Sequence, residues 1–160
     1  MCAVLKERIA PQAVFAGERA HDLWPEISPL FREHWEEVSM FKDIPLDPCV
    51  KTYEAIEESG MLRVYTARID GVLIGYVAVI LHFSIHSQNS FQARGDVVFI
   101  SKQYRGGNVC SMMLDYVEKS LKDDGVYLAH FHVNPDHPAF GRILASRGYA
   151  RSEIVYARRL

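Results

Sequence analysis

The segment that most restricts the fold is Gly106-Gly107-Asn108, which joins an apolar run ending at Ile100 to an amphipathic stretch that follows it. Asp96 to Ile100 closes a strand pattern, while Val109, Met112, Met113, Tyr116, Val117, Ser120 and Leu121 recur at helical spacing. Asp115 with Lys119 and Glu118 with Lys122 stand four residues apart on the solvated side of that helix. Gly125 then leads into a second strand pattern, 126–133. Strand, turn, helix and strand make a β-α-β unit, so the chain must contain at least one pair of parallel strands across a helical crossover.

Upstream, 62–68, the turn Asp70-Gly71 and the β-branched run 72–83 read as a hairpin. Residues 84–90, with Ser, His, Gln and Asn, read as a loop, and 91–100 as the next strand. A short strand is expected near 4–9. Ser28 and Pro29 then signal the start of a helix that carries Leu30, Phe31, His34, Trp35 and Val38 on one face. Asp47-Pro48 repeats the signal for a second helix, with Val50, Tyr53 and Ile56 apolar and Gly60 placed to end it. A short helix over 138–146 and a last strand over 152–158 complete the chain. Two helices, a hairpin and β-α-β-α-β predict an α/β sandwich in one domain, a size that 160 residues suits.

Composition removes several function classes. Lys and Arg number 18 against 20 Asp and Glu, so no global field favours nucleic acid or an anionic membrane. Cys2, Cys49 and Cys110 are odd in number and widely spaced, which argues against a disulfide framework and a zinc cage and for a reducing cytoplasm. No run reaches the roughly 18 apolar residues of a membrane span, and the charged N-terminus is unlike a signal peptide.

The chemistry concentrates at the turn. A helix start presents backbone N–H groups without partners and the positive end of the helix dipole, and both favour phosphate. Gly106, Gly107 and Asn108 let the backbone approach a ligand, and Arg105 adds a cation. The segment lacks the Gly-Lys-Ser/Thr of a nucleotide P-loop.

The stretch from Asp96 to Cys110 resembles the fourth strand, phosphate loop and third helix of the GNAT superfamily of N-acetyltransferases, with their pattern Arg/Gln-x-x-Gly-x-Gly/Ala. Counted from Ile100, Arg105 takes the first motif position, Asn108 the place where Gly is usual, and Cys110 that of Gly or Ala. A register from Gln103 would put Gly106 and Asn108 there instead. Gly75 in the strand before, and 137–149 ending in Gly148-Tyr149, are similar to further parts of the family, so about 100 residues, 62–159, are covered. The opening helices, through His34-Trp35 and 44–48, resemble small GNAT members encoded by phages.

The resemblance implies a GNAT-like mixed sheet flanked by helices, residues 1–60 forming a mainly helical acceptor side and 62–159 the cofactor-binding part. It implies acetyl-CoA as co-substrate, with pantetheine against Val98, Phe99 and Ile100. The pyrophosphate would lie on Arg105, Gly106, Gly107, Asn108, Val109 and Cys110, with Asn134 near the cofactor. Asp96 falls where the family often carries its base. The family's Tyr acid aligns with Leu144 and is absent, which leaves His130, His132, His137 and Tyr156 as candidates, with His132 and Tyr156 placed beside Asp96 in the expected catalytic set. His130, His132 and His137 also admit a metal reading, although the transfer needs no metal and none is expected. Two functions stay open: acetyl transfer to an amine of a small molecule or protein, with a homodimer admitted, or a catalytically idle GNAT-fold module that binds CoA or a protein partner.

Overall fold

The computed structural model describes residues 12–159; the strand expected near 4–9 lies outside them. A strand that the sequence pattern did not announce, β1 (Val14–Glu18), is followed by helix α1 (Ala20–Val38) and helix α2 (Val50–Glu58). Strands β2 (Leu62–Ile69), β3 (Val72–Ser84) and β4 (Ser87–Ile100) come next. Helix α3 (Val109–Asp123), strand β5 (Leu128–His130) and helix α4 (Ala139–Ser146) follow. The sheet order is β1-β2-β3-β4-β5, antiparallel except for the parallel pair β4/β5 across α3. This is the mixed sheet flanked by helices that the resemblance implied, with the parallel pair that the alternation of elements predicted.

Both faces of the sheet are covered, which explains why β3 reads as an almost unbroken apolar run. On one face Tyr65, Ile74, Val77 and Val79 pack with Met113, Val117 and Leu121 of α3. On the other, Leu62, Val64, Tyr76, Val97 and Phe99 pack with Ala20, Leu23 and Ile27 of α1. The β2/β3 turn is as expected: Asp70 and Gly71 have φ of 50° and 80°, the left-handed pair that suits the twist of a two-residue hairpin.

Five boundaries differ from the expectations, the first being that helix α2 starts at Val50 with Cys49 as its N-cap rather than at Asp47-Pro48. Helix α1 starts at Ala20, not at Ser28, and runs through Pro25 and Pro29. Each proline removes one helical hydrogen bond, but both lie on the exposed face, while Ala20, Leu23 and Ile27 are buried on the sheet. Its first N–H is satisfied from outside the helix, by Glu57 of α2 at 2.6 Å.

The expected loop over 84–90 is instead a hairpin in which Ser84 pairs with Ser87. Residues 87–89 are exposed and carry no alternation of burial, so only the backbone ladder makes them strand. Strand β5 is three residues long rather than eight, for a reason given below. Residues 149–159 form no strand at all: Ile154, Val155 and Tyr156 are β-prone but find no ladder. The tail is held by ion pairs of Glu153 with Arg94 and of Arg159 with Asp43.

Candidate active site

Strand β4 changes character at Gly95-Asp96. Against β3, Val79 faces Gly95 and Ala78 faces Val97, so Asp96 is an extra residue without a partner, a bulge that bends the strand and re-aims its side chain. Against β5, pairing covers only Gln92, Ala93 and Arg94 with Leu128, Ala129 and His130. At that point Phe131 moves in over the strand. A Cβ on Gly95 would stand 2.6 Å from Phe131 Cδ1, so only glycine admits the ring there. Phe131 is itself packed edge-on against Phe140 and Tyr149. The two strands therefore part, which is why β5 is short. No strand among the described residues pairs with 96–100 on that side, leaving a row of backbone N–H and C=O groups along one edge.

The free half of β4 is held tightly by β3. A Cβ on Gly75 would lie 2.7 Å from the Phe99 carbonyl oxygen and 3.1 Å from Ile100 Cα. Beyond Ile100, Ser101 N–H donates to Ile74 O at 2.9 Å, and a 3-10 turn covers Lys102–Tyr104. Helix α1 clamps this turn with two carboxylates one helical turn apart. Glu33 accepts from Ser101 Oγ at 3.0 Å and from Lys102 N–H at 3.2 Å. Glu37 accepts from both Nη atoms of Arg105, at 2.7 and 2.8 Å, while Arg105 Nε donates to Ile100 O at 2.7 Å. The guanidinium beside Glu37 holds that carboxyl below its ordinary range. Arg105 thus fixes the loop as an internal pin rather than presenting a free cation.

After this pin the chain turns through Gly106, whose φ of +94° is the left-handed region natural to glycine. Asn108, at φ −96°, is the N-cap and makes no side-chain cap bond. The first helical bond of α3 runs from Met112 N–H to Asn108 O, so Val109, Cys110 and Ser111 present N–H groups without helical partners. No acidic side chain stands in that turn, and nothing would lie within 4 Å of a Cβ at Gly106 or Gly107. An open amide edge leading to an uncapped helix start fits a ligand with a polar amide arm and an anionic phosphate end.

The model of the acetyltransferase (GNAT) family matches residues 20–149. The chain belongs to that family. Among solved structures, an aminoglycoside N-acetyltransferase in complex with CoA superposes with a TM-score of 0.73 at 16% identity, covering 94% of this chain and 96% of the other. The ribosomal-protein-alanine N-acetyltransferase of Brucella melitensis biovar Abortus 2308 gives 0.69 at 17% identity, over 93% and 99%. A predicted acetyltransferase with acetyl-CoA from Clostridium acetobutylicum gives 0.68 at 10% identity, over 92% and 96%. At these identities the likeness is one of fold. No curated protein sequence matches.

Within this GNAT frame the expected site residues fall at different places. Asp96, on the bulge, accepts a 2.9 Å hydrogen bond from the Tyr53 hydroxyl of α2; burial, with help from Asp96, pushes that hydroxyl well above the ordinary phenol range. Val98, Phe99 and Ile100 line the free edge. Asn134 lies beyond β5, where its Nδ2 donates to Val38 O at the end of α1 at 3.1 Å, tying the departing chain to the helix that clamps the loop. Burial pushes the Cys110 thiol up despite its place at a helix start, with Arg147 and Arg105 opposing.

His130 and His132 do not share a strand face, because β5 ends at His130; His130 contacts Gln92 Oε1 at 3.3 Å. His132 and His137 are exposed, and Tyr156 is 89% exposed. Leu144 is buried. Among the described residues no group of three or more His, Cys, Asp or Glu side chains is placed to hold a metal ion, and no helix is long and apolar enough to cross a membrane.

The sequence pattern did not single out Glu33, His34 or Tyr53 as site residues. Each looked like an ordinary position of an amphipathic helix, and only the packing of α1 and α2 over β4 brings them to the free edge. An aromatic series runs beside them: Trp24 with Phe31 and Tyr53, Phe31 with Tyr76, and Tyr76 with Phe99, at 6.3–6.4 Å between ring centroids.

Proposed function

We propose that this GNAT protein transfers an acetyl group from acetyl-CoA to an amine of a small molecule or a protein. The observation that carries the reading is the continuity of the free edge of β4 with the uncapped start of α3. On this reading the backbone of Val98, Phe99 and Ile100 pairs with the pantetheine amides. The N–H groups of the segment Gly106, Gly107, Asn108, Val109 and Cys110 receive the pyrophosphate. Arg105 acts through its hold on the loop, and Asn134 closes the opposite wall by its bond to α1.

The amine approaches from the α1/α2 face, where Asp96 draws the first proton from the incoming ammonium. Asp96 is favoured over His132 and Tyr156 because it stands on the bulge at the free edge, whereas both others lie outside any strand. The buried Leu144, in place of the Tyr expected there, favours a second reading, a module that binds CoA without turnover. Thiol release from acetyl-CoA with a panel of amines separates the two. Acetyl transfer predicts release that Asp96→Asn reduces; CoA binding with no release from any amine would establish the idle module.

The exposed run Ile154, Val155 and Tyr156, together with the short edge strand β5, supports a further proposal that two copies of the chain associate there. Light scattering would show a dimer, and one that Val155→Lys disperses; a monomer at all concentrations would refute it.

A further inference from the structure

His34 lies in the middle of the α1 segment that clamps the loop, between Glu33 and Glu37, and its imidazole faces inward. The ring stands 5.1 Å from the Phe99 ring, tilted against it. The guanidinium of Arg105 covers the same phenyl group at 5.3 Å. Phe99 belongs to the half of β4 that has no β5 partner, so the imidazole stands over the stretch of strand that the acetyltransferase reading assigns to pantetheine. The charged groups that act on it come from three elements: Glu37 of α1, Arg105 of the loop and Asp96 of β4. Burial is the largest influence and holds the imidazole below its ordinary range, with Glu37 and Asp96 opposing and Arg105 assisting. Burial and charge, not a hydrogen bond, set its titration. Burial thus favours the neutral ring that can accept a proton, while the carboxylates of Glu37 and Asp96 favour the cation it would become.

We propose that His34 carries the proton that moves from the acceptor nitrogen to the sulfur of CoA during the transfer, an assignment that rests on the acetyltransferase reading above. The acceptor arrives as an ammonium and gives its first proton through Asp96 to solvent. The nitrogen lone pair attacks the thioester carbonyl carbon, a C–N bond forms and the C–S bond breaks. The second proton leaves nitrogen for the imidazole. The imidazolium returns it to the departing thiolate, so that ammonium and thioester give amide, thiol and one proton released. This fills the place left by Leu144 with a side chain from the opposite face of the sheet.

The test is His34→Gln in the full chain, assayed with acetyl-CoA and the amine that the wild-type protein turns over best. The expected result is a fall in kcat of about 100-fold, the low end of what general acid–base catalysis contributes, with CoA affinity unchanged by calorimetry. The wild-type pH profile should show an ascending limb below neutrality that the variant lacks. Should the variant fold poorly, an NMR titration of His34 in the wild-type protein replaces it, and the imidazole must titrate at the same pH as the kinetic limb. Turnover that survives His34→Gln, or an imidazole that titrates away from the limb, overturns the role of His34 and leaves acetyl transfer standing. A wild-type protein that binds CoA but releases no thiol overturns both.

Discussion

The two halves of β4 share one neighbour and differ in the other. Up to Arg94 the strand is paired with β3 on one side and reaches β5 on the other; from Asp96 onward it is paired with β3 alone. The same strand is thus bounded on both sides at one end and on one side alone at the other. Two small departures separate the halves. One extra residue, Asp96, bends the ladder, and one missing side chain, at Gly95, lets Phe131 fill the space where β5 would have continued. A strand edge in mid-domain is ordinarily a liability. Here helix α1 fixes its far end through Glu33 and Glu37 instead of covering it.

The contrast can be broken most severely at Gly75, where the free half leans on β3. Gly75→Val forces a side chain against the backbone of Phe99 and Ile100 and should lower stability by about 3 kcal/mol, the upper end of ordinary overpacking. Urea denaturation checks this. A stability within error of wild type would mean that the two strands are not in close register there.

Next in size is Arg105→Glu, which sets two carboxylates against each other at Glu37 and releases Ile100 O. CoA affinity should fall about tenfold, equivalent to about 1.4 kcal/mol, with a smaller loss of folding stability because the pair is partly exposed. A calorimetric titration reads the first and thermal melting the second. Equal losses in both would mean that Arg105 serves folding rather than the loop.

The pH dependence sharpens the same pin. Arg105 lowers the folded pKa of Glu37 from its ordinary value of 4.5, so the unfolded chain binds more protons as pH drops through that region. The stabilisation is complete above about pH 4.5 and is lost as pH falls through the lowered folded value. Arg105→Ala should flatten this part of the acid limb, and melting curves from pH 6 to pH 3 would reveal it. An unchanged limb would show that Glu37 is not held by Arg105 in solution. The smallest effect is expected for Tyr53→Phe, which removes the hydroxyl that donates to Asp96 and should cost about 1 kcal/mol while leaving CoA affinity intact.

These regions were unequally legible in the sequence. The hairpin at Asp70-Gly71, helix α3 and the Gly106-Gly107-Asn108 turn announce themselves because their signals are local: turn chemistry, helical periodicity and backbone freedom. The start of α1 did not, since Ser28-Pro29 reads as a beginning and the true first turn is capped by Glu57, 37 residues away. The tail read as a strand because Ile154, Val155 and Tyr156 have the propensity, yet a strand exists only beside a partner. In the candidate site, the Gly106-Gly107-Asn108 turn was legible as a motif, but the engagement of Arg105 with Glu37 and Ile100 was not. Nothing in the sequence states that Glu37 stands opposite it, or that His34 falls on Phe99. Those facts depend on how α1 crosses the sheet, and they decide which charges are free and which are spent.

The central claim is that the unpaired half of β4 and the uncapped start of α3 together receive acetyl-CoA. Hydrogen exchange of the full chain with and without CoA tests it directly. The account predicts that amides within 97–100 and 107–111 slow markedly on addition of CoA, while those of 92–94, already paired with β3 and β5, stay as they were. Binding that leaves 97–100 and 107–111 unchanged, or protects another part of the molecule instead, would contradict it.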